Sequence, residues 1–298
     1  MDASTPSREL SLRQAELLMA AVILARSTSF VISKLAVAAL APFNILGVRF
    51  LTAFLILLLL FRHRVKNADR RSVRDGVLLG LVYTAVMGCE MLGLRMAESS
   101  LASLIENAAF ILVPFLEITF LRRYPGRTVV IGIILAFAGL LVLHLGPGAR
   151  LNTGSLYFFA GMAFYALAIF LTGIFARESE PLLVGVFQIG TMGVVSLLIS
   201  LLFEDFRLPA SGAEWGMILY LALVCSVFGF TLQPVAQRTL PADRAGMFSA
   251  LNPVGAVFWG FLFLGEALSP CKLAGAALIL AGLLLPLLPD KGHIRSVK

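Results

Sequence analysis

The sequence predicts an all-α membrane protein whose ten transmembrane helices form two inverted five-helix repeats. Three observations predict it. Apolar stretches long enough to cross a bilayer recur along the chain, basic residues concentrate in alternate loops, and the two halves match each other. The 298 residues are 59% hydrophobic and 14% charged. Soluble domains carry about 25% charged residues, so a soluble fold is excluded.

A helical span needs about 20 predominantly apolar residues. Such stretches fall near 15–37, 43–61, 76–95, 101–121, 128–145, 155–175, 182–203, 215–234, 244–264 and 272–288. No polar segment between them is long enough to fold as a separate soluble domain, so one integral membrane domain is expected. The first stretch follows a polar lead and contains Arg26 and Lys34 without a small-residue cleavage site. It reads as an uncleaved span, not a signal peptide. Cys89, Cys225 and Cys271 lie in or beside spans with no metal-ligand or disulfide spacing, and read as small packing residues.

The formal charge is +7, and in a membrane protein a basic excess is first a topology signal. With the N-terminus inside, "RHRVKNADRRSVR" (62–74), Arg122, Arg123, Arg127, Arg177, Arg238, Arg244 and both tails face the cytoplasm. The opposite side holds Arg95, Arg150, Arg207 and Lys272. An even number of spans with both termini cytoplasmic follows, in the inner (plasma) membrane of a cell. The basic run is read as a positive-inside loop, and no nucleic-acid partner is expected.

Placing 121–143 over 264–286 brings Gly132 onto Gly275, Ala138 onto Ala281 and Gly139 onto Gly282. Upstream, Pro42 falls on Pro181 and Arg49 on Gln188. The halves 1–146 and 147–298 therefore each hold five spans, and an odd number forces the second half to insert upside down. Transporters built this way keep their substrate site near the midplane, at the repeat interface. The glycines recur at seven-residue spacing on one helix face, which reads as close helix packing.

The segments "SFVISK…APFNILGVRFLTAFLILLLL" and "LNPVGAVFWGFLFLGEALSPCKLAGAALILAGLLL" (251–285) resemble the drug/metabolite transporter superfamily, EamA type. The most specific part is Pro-Val followed by Leu-Gly-Glu and the glycine pair, and the resemblance covers essentially the whole chain. It implies alternating access in a ten-helix bundle, with helices 1–4 and 6–9 around a central cavity and helices 5 and 10 outside it. Lys34 and Arg49 match residue types common in that superfamily. The chain carries Arg26-Ser27 where Trp-Gly is frequent, Leu121-Arg122-Arg123 for Leu-Gly-Glu in the first half, and an acid at Glu90.

Charge inside hydrocarbon is expensive, about 2.5 kcal/mol or more per residue. Yet Arg26, Lys34, Arg49, Glu90, Glu106 and Glu117 all fall within spans of the first half. Their repeat counterparts are uncharged: Gly173 for Lys34, Gln188 for Arg49, Phe230 for Glu90 and Ser249 for Glu106. The three cations and three anions are expected to pair in part and lock helices together, with Glu117 the most structural of them. Glu90 and Glu106 share a level on adjacent helices, and neighbouring carboxylates in a low-dielectric cavity are suited to proton and cation handling. Lys34 and Arg49 are candidates for gating or for pairing with an anion. Asn107, Asn252, Gln188, Tyr83, Tyr165 and Trp259 complete the candidate substrate surface. Pro114, Pro234 and Pro253 are candidate kinks or gates, since freed backbone carbonyls must lie beside a cavity or packed protein.

The expected function is a secondary transporter that exports an amino acid or amphiphilic amine by alternating access, coupled to protons through Glu90 and Glu106. An anion or nucleotide-sugar-type exchanger using Lys34 and Arg49, or a lipid flippase, is the alternative. A ligand receptor or assembly scaffold is a further class, set apart by binding without translocation. His63, His144 and His293 form no catalytic grouping, and neither HExxH nor GxSxG occurs. No enzyme, metal or cofactor is expected. The partners are a small-molecule substrate, the bilayer and protons, with the protein a monomer or weak homodimer.

Overall fold

A computed structural model of the chain describes residues 10–96, 105–144, 153–264 and 269–287. The expected junction between halves at 146 and 147, the basic tails, Arg150 and the Leu-Gly-Glu glutamate, Glu266, lie outside the described residues. Among the described residues helices are the only regular secondary structure.

Helix α1 (Leu12–Ser27) starts at a capping box, in which the Ser11 Oγ accepts the Gln14 amide and the Gln14 Oε1 accepts the Ser11 amide. This satisfies two backbone donors that no helical partner reaches. After Thr28 the chain continues as α2 (Ser29–Ala36). Helices α3 (Pro42–Leu60) and the short α4 (Arg62–Lys66) follow, then α5 (Arg70–Met96). Next come α6 (Ala109–Leu116), running into a π-helical turn over Glu117–Leu121, and α7 (Arg127–His144). The remaining helices are α8 (Thr153–Glu178), α9 (Pro181–Phe203) and α10 (Gly212–Tyr220). Helix α10 passes through a π-helical segment, Leu221–Phe230, into α11 (Thr231–Gln237). Helices α12 (Ala242–Ser249), α13 (Leu251–Leu264) and α14 (Pro270–Leu284) complete the chain. Pro42 and Pro181 open α3 and α9 at positions where a missing amide costs nothing.

Six helical stretches are long and apolar enough to cross a membrane: 12–36, 42–60, 70–96, 153–178, 181–203 and 212–237. Shorter apolar helices span 127–142 and 273–284. The expected spans 101–121 and 244–264 are interrupted, at Ala108 and Ala250, and the first begins outside the described residues. The cause at Ala250 is local. The Ser249 hydroxyl donates to the Gly246 carbonyl at 2.6 Å, and the Ala250 amide turns to Met247. At the α1–α2 break Ser27 and Thr28 bond the Leu24 and Ala25 carbonyls at 2.7 and 2.8 Å. Hydroxyls of this kind compete with the helical ladder and bend it.

Glycines set the closest crossings. A Cβ added at Gly132 would lie 2.5 Å from the Gly282 carbonyl oxygen, one at Gly282 equally close to that of Gly132, and one at Gly139 2.7 Å from that of Gly275. Helices α7 and α14 therefore cross antiparallel, backbone on backbone. Similar approaches of Gly47 to Leu197 and Gly193 to Leu51 make α3 and α9 antiparallel. Outward-facing Leu59, Leu202 and Phe203 are each more than 70% exposed, an unfavourable surface in water but a matched one in lipid.

One end of α5 is tied to the α8–α9 turn. Asp75 is buried; it accepts from Arg74 at 2.8 Å and from the Ser179 hydroxyl at 2.7 Å. The Glu180 amide donates to the Ser72 hydroxyl, while Arg64 pairs with Glu180 and Arg71 with Glu178.

Candidate functional site

Three interrupted helices meet at one point. The α1–α2 break supplies Arg26, Ser29 and Phe30, the helical residues before Ala108 supply Glu106, and the start of α13 supplies Asn252. With Met87 and Glu90 of α5, Tyr165 of α8 and Phe230 they line a cavity of about 20 Å³. That volume holds a water or two, so in this conformation the cavity is largely filled by its own side chains.

Glu90 and Glu106 are 2% and 3% exposed. Glu90 Oε1 and Glu106 Oε2 have no hydrogen-bond partner among the described residues. Both carboxylates lie within electrostatic reach of Arg26, and Glu90 also of Arg49. Yet neither arginine makes an ion pair within 4 Å of them among the described residues. The expected neutralisation by direct pairing is replaced by pairing at a distance, because each guanidinium is held elsewhere. Arg49 is fully buried and donates to the Ser226 hydroxyl at 2.9 Å and the Ser29 hydroxyl at 3.3 Å. The π-helical segment shapes that contact: the Ser226 hydroxyl donates to the Leu221 carbonyl, five residues back. Such π-helical irregularities concentrate at functional sites. Arg26 donates to Gln233 Oε1 at 2.5 Å, and Gln233 in turn donates to the Tyr83 hydroxyl at 2.9 Å.

The two asparagines meet directly, Asn252 Nδ2 donating to Asn107 Oδ1 at 2.7 Å. Tyr165 lines the cavity and Tyr83 stands behind it, their rings 6.4 Å apart. The other candidates lie apart from it. Lys34 donates to the Leu94 carbonyl, joining α2 to the end of α5. The Trp259 indole donates to the Ser27 hydroxyl at 2.9 Å, clamping α13 against the α1 break. Gln188 is buried on α9 near Gly76 and Gly80 of α5, outside the cavity lining. Pro114 and Pro234 lie inside α6 and α11, each beside a π-helical segment. Pro253 sits in the first turn of α13, three residues after the Ala250 break, where its missing amide leaves the Ser249 carbonyl without an i+4 donor. Glu117 faces the backbone N–H groups of Ala242 and Asp243 at the start of α12, away from the cavity.

Arg26, Gln233, Ser29 and Phe230 are absent from the substrate surface expected from sequence. Arg26 was legible as an intramembrane charge standing where Trp-Gly is frequent. Gln233 and Ser29 are ordinary polar residues in apolar runs, and only the fold brings them to the centre.

The description "EamA-like transporter family" fits the chain twice, its family profile matching residues 13–145 and 152–288. An uncharacterized transporter of Bacillus subtilis, YetK, is 26% identical over 92% of this chain and 86% of its own length. The pseudopaline exporter CntI of Pseudomonas aeruginosa is 25% identical, over 89% of this chain and 94% of its own. An uncharacterized inner membrane transporter of Escherichia coli, YedA, is 28% identical over 90% and 88%. A solved crystal structure, 20% identical, superposes with a TM-score of 0.78 over 93% of this chain and 98% of that one.

Proposed function

The chain belongs to the EamA-like transporter family, and from that premise we propose that it exports a small metabolite by alternating access. The cargo class is an amino acid or amphiphilic amine, moved outward across the inner membrane in exchange for protons. Both termini are placed in the cytoplasm. The architecture proposed is ten transmembrane helices in two inverted halves, 1–146 and 147–298. Support comes from the two profile matches, which fall on those halves, and from the paired Gly132–Gly282 and Gly139–Gly275 approaches, which a two-fold relation between the halves would exchange. The relative directions of α3 with α9 and of α7 with α14 agree with a path that alternates across the bilayer.

One observation carries the reading: two buried carboxylates, Glu90 and Glu106, each with one oxygen lacking a hydrogen-bond partner among the described residues, line a small cavity at the meeting of three broken helices. Discontinuous helices place backbone and side-chain polar groups at the midplane, where a cargo exchanges its water shell for protein. Buried carboxylates hold a cationic group strongly when charged, and release it when protonated. Opening on one side admits the cargo amine, and opening on the other admits the proton that displaces it. The named activity of the Pseudomonas relative supports export of a metabolite.

The test is transport-linked current from proteoliposomes on a solid support, with amino acids and organic amines, with and without a pH gradient. Wild-type currents should follow the gradient and Glu106→Gln should abolish them. Currents indifferent to both would remove the carboxylates from the mechanism.

A further inference from the structure

The cavity already contains an organic cation, and it is part of the chain. The Arg26 guanidinium lies with its Cζ 3.9 Å from the centroid of the Phe230 ring, 5.6 Å from that of Tyr165 and 5.9 Å from that of Tyr83. Three aromatic rings within about 6 Å of one cationic centre form a cage of the kind that recognises ammonium and guanidinium ligands. The Glu90 and Glu106 carboxyl groups line the same cavity. The cage is also preorganised without its occupant. Phe230 packs edge-on against Tyr83 at 5.1 Å and against Phe50 at 5.7 Å, so the rings hold one another. The side chain that reaches into it is accommodated by design of the wall: a Cβ on Gly229 would lie 2.6 Å from Arg26 Cγ.

We propose that the Arg26 guanidinium is the resident occupant of an organic-cation subsite, which cargo of the guanidinium or alkylammonium class enters only by displacing that side chain. The proposal rests on the cavity being the transport site, and deepens that reading by naming what sets its charge selectivity. With Arg26 seated, a bare cation meets a like charge. With Arg26 withdrawn, the same rings and carboxylates face outward to cargo. Arg49 does not share this role, because its guanidinium is bonded to Ser226 and Ser29 and is not itself part of the cavity lining.

Binding separates this from the transport reading. Purified full-length protein in detergent is titrated with ethylguanidinium chloride, and the unfolding temperature is followed. Wild type should respond only at much higher concentration, whereas Arg26→Ala should show a saturable rise of about 3 °C at ten times its half-saturating concentration. Should Arg26→Ala fail to fold with one carboxylate left uncompensated, Arg26→Ala/Glu106→Gln restores charge balance and should bind about tenfold more weakly. Equal responses in wild type and variant, or none in any folded variant, would overturn the subsite. Binding in the variant without current from any transporter form would instead sink the transport reading and leave the subsite standing.

Discussion

The α7–α14 crossing and the central cavity hold helices together by opposite means. At the crossing, Gly132, Gly139, Gly275 and Gly282 bring backbone against backbone, and no charge is involved. At the cavity, guanidinium groups, carboxylates and amides from broken helices meet around a space for a water or two. Lipid is as apolar as leucine, so burial alone drives little association inside a membrane, and close packing of small residues takes its place. Charge is the costly alternative, and Arg26, Glu90 and Glu106 gather it at the cavity, with Lys34 and Glu117 apart from it. The difference teaches that one contact depends on shape alone, while the other depends on polar partners that a proton or a cargo could exchange.

The sharpest way to break the comparison is to add bulk at the crossing. Gly132→Leu places its first side-chain carbon 2.5 Å from a backbone oxygen. No rotamer relieves a clash at Cβ, so the cost exceeds the roughly 1–3 kcal/mol usual for overpacking. We expect loss of the monodisperse folded protein on size-exclusion chromatography. A well-folded Gly132→Leu would mean the helices part easily, and would remove the contrast with the cavity.

Next in size is Arg49→Ala, which removes two charge-assisted hydrogen bonds and leaves Ser29 and Ser226 without that donor. Hydrogen bonds to charged groups contribute about 1.5–3 kcal/mol, so a fall in unfolding temperature of several degrees is expected. Arg49→Lys should recover part of it, since an ammonium keeps the charge but not the fork. A smaller effect belongs to the Asn107–Asn252 bond. Hydrogen bonds between membrane helices average about 0.6 kcal/mol and reach about 1.7. In a double-mutant cycle, Asn107→Ala and Asn252→Ala should couple by an amount in that range. Additivity would show that the bond contributes no stability of its own.

The sequence disclosed the contrast unevenly. The glycine pairs were readable because a packing rule acts on spacing alone, and Gly132 and Gly282 do meet at a close helix crossing. The buried charges were equally visible, since any charge inside an apolar run stands out. Their partners were not. Serine breaks such as Ser249 look like ordinary span residues until the i−3 carbonyl is seen to accept them. Gln188 matched Arg49 in register yet lies on another surface, because register fixes depth in the membrane and not the direction a side chain faces. Arg26 was visible as a charge, but the cage around it comes from three distant segments, at 83, 165 and 230, and no local pattern joins them.

The smallest predicted effect lies outside the membrane, at the start of α5, and probes neither kind of helix contact. The Asp69 carboxylate accepts the Ser72 amide at 3.0 Å while its carbonyl accepts that of Val73, which makes it the N-cap. Hydrogen bonds from Ser72 hold its pKa below the ordinary 3.8. A depressed folded-state value means that the stabilisation is complete above about pH 3.8 and disappears as the pH falls through the lower, folded value. The side chain is exposed, so screening by solvent keeps the charge contribution small. Asp69→Asn keeps an acceptor for the amide and should leave stability at pH 7 almost unchanged while removing this acid dependence. Asp69→Ala removes the cap itself and should cost about 0.5–1 kcal/mol, read as a shift in unfolding temperature at neutral pH. A loss as large as that of Arg49→Ala would place the α5 terminus among the parts that hold the bundle together, and the division between a crossing held by shape and a centre held by polar partners would have to include it.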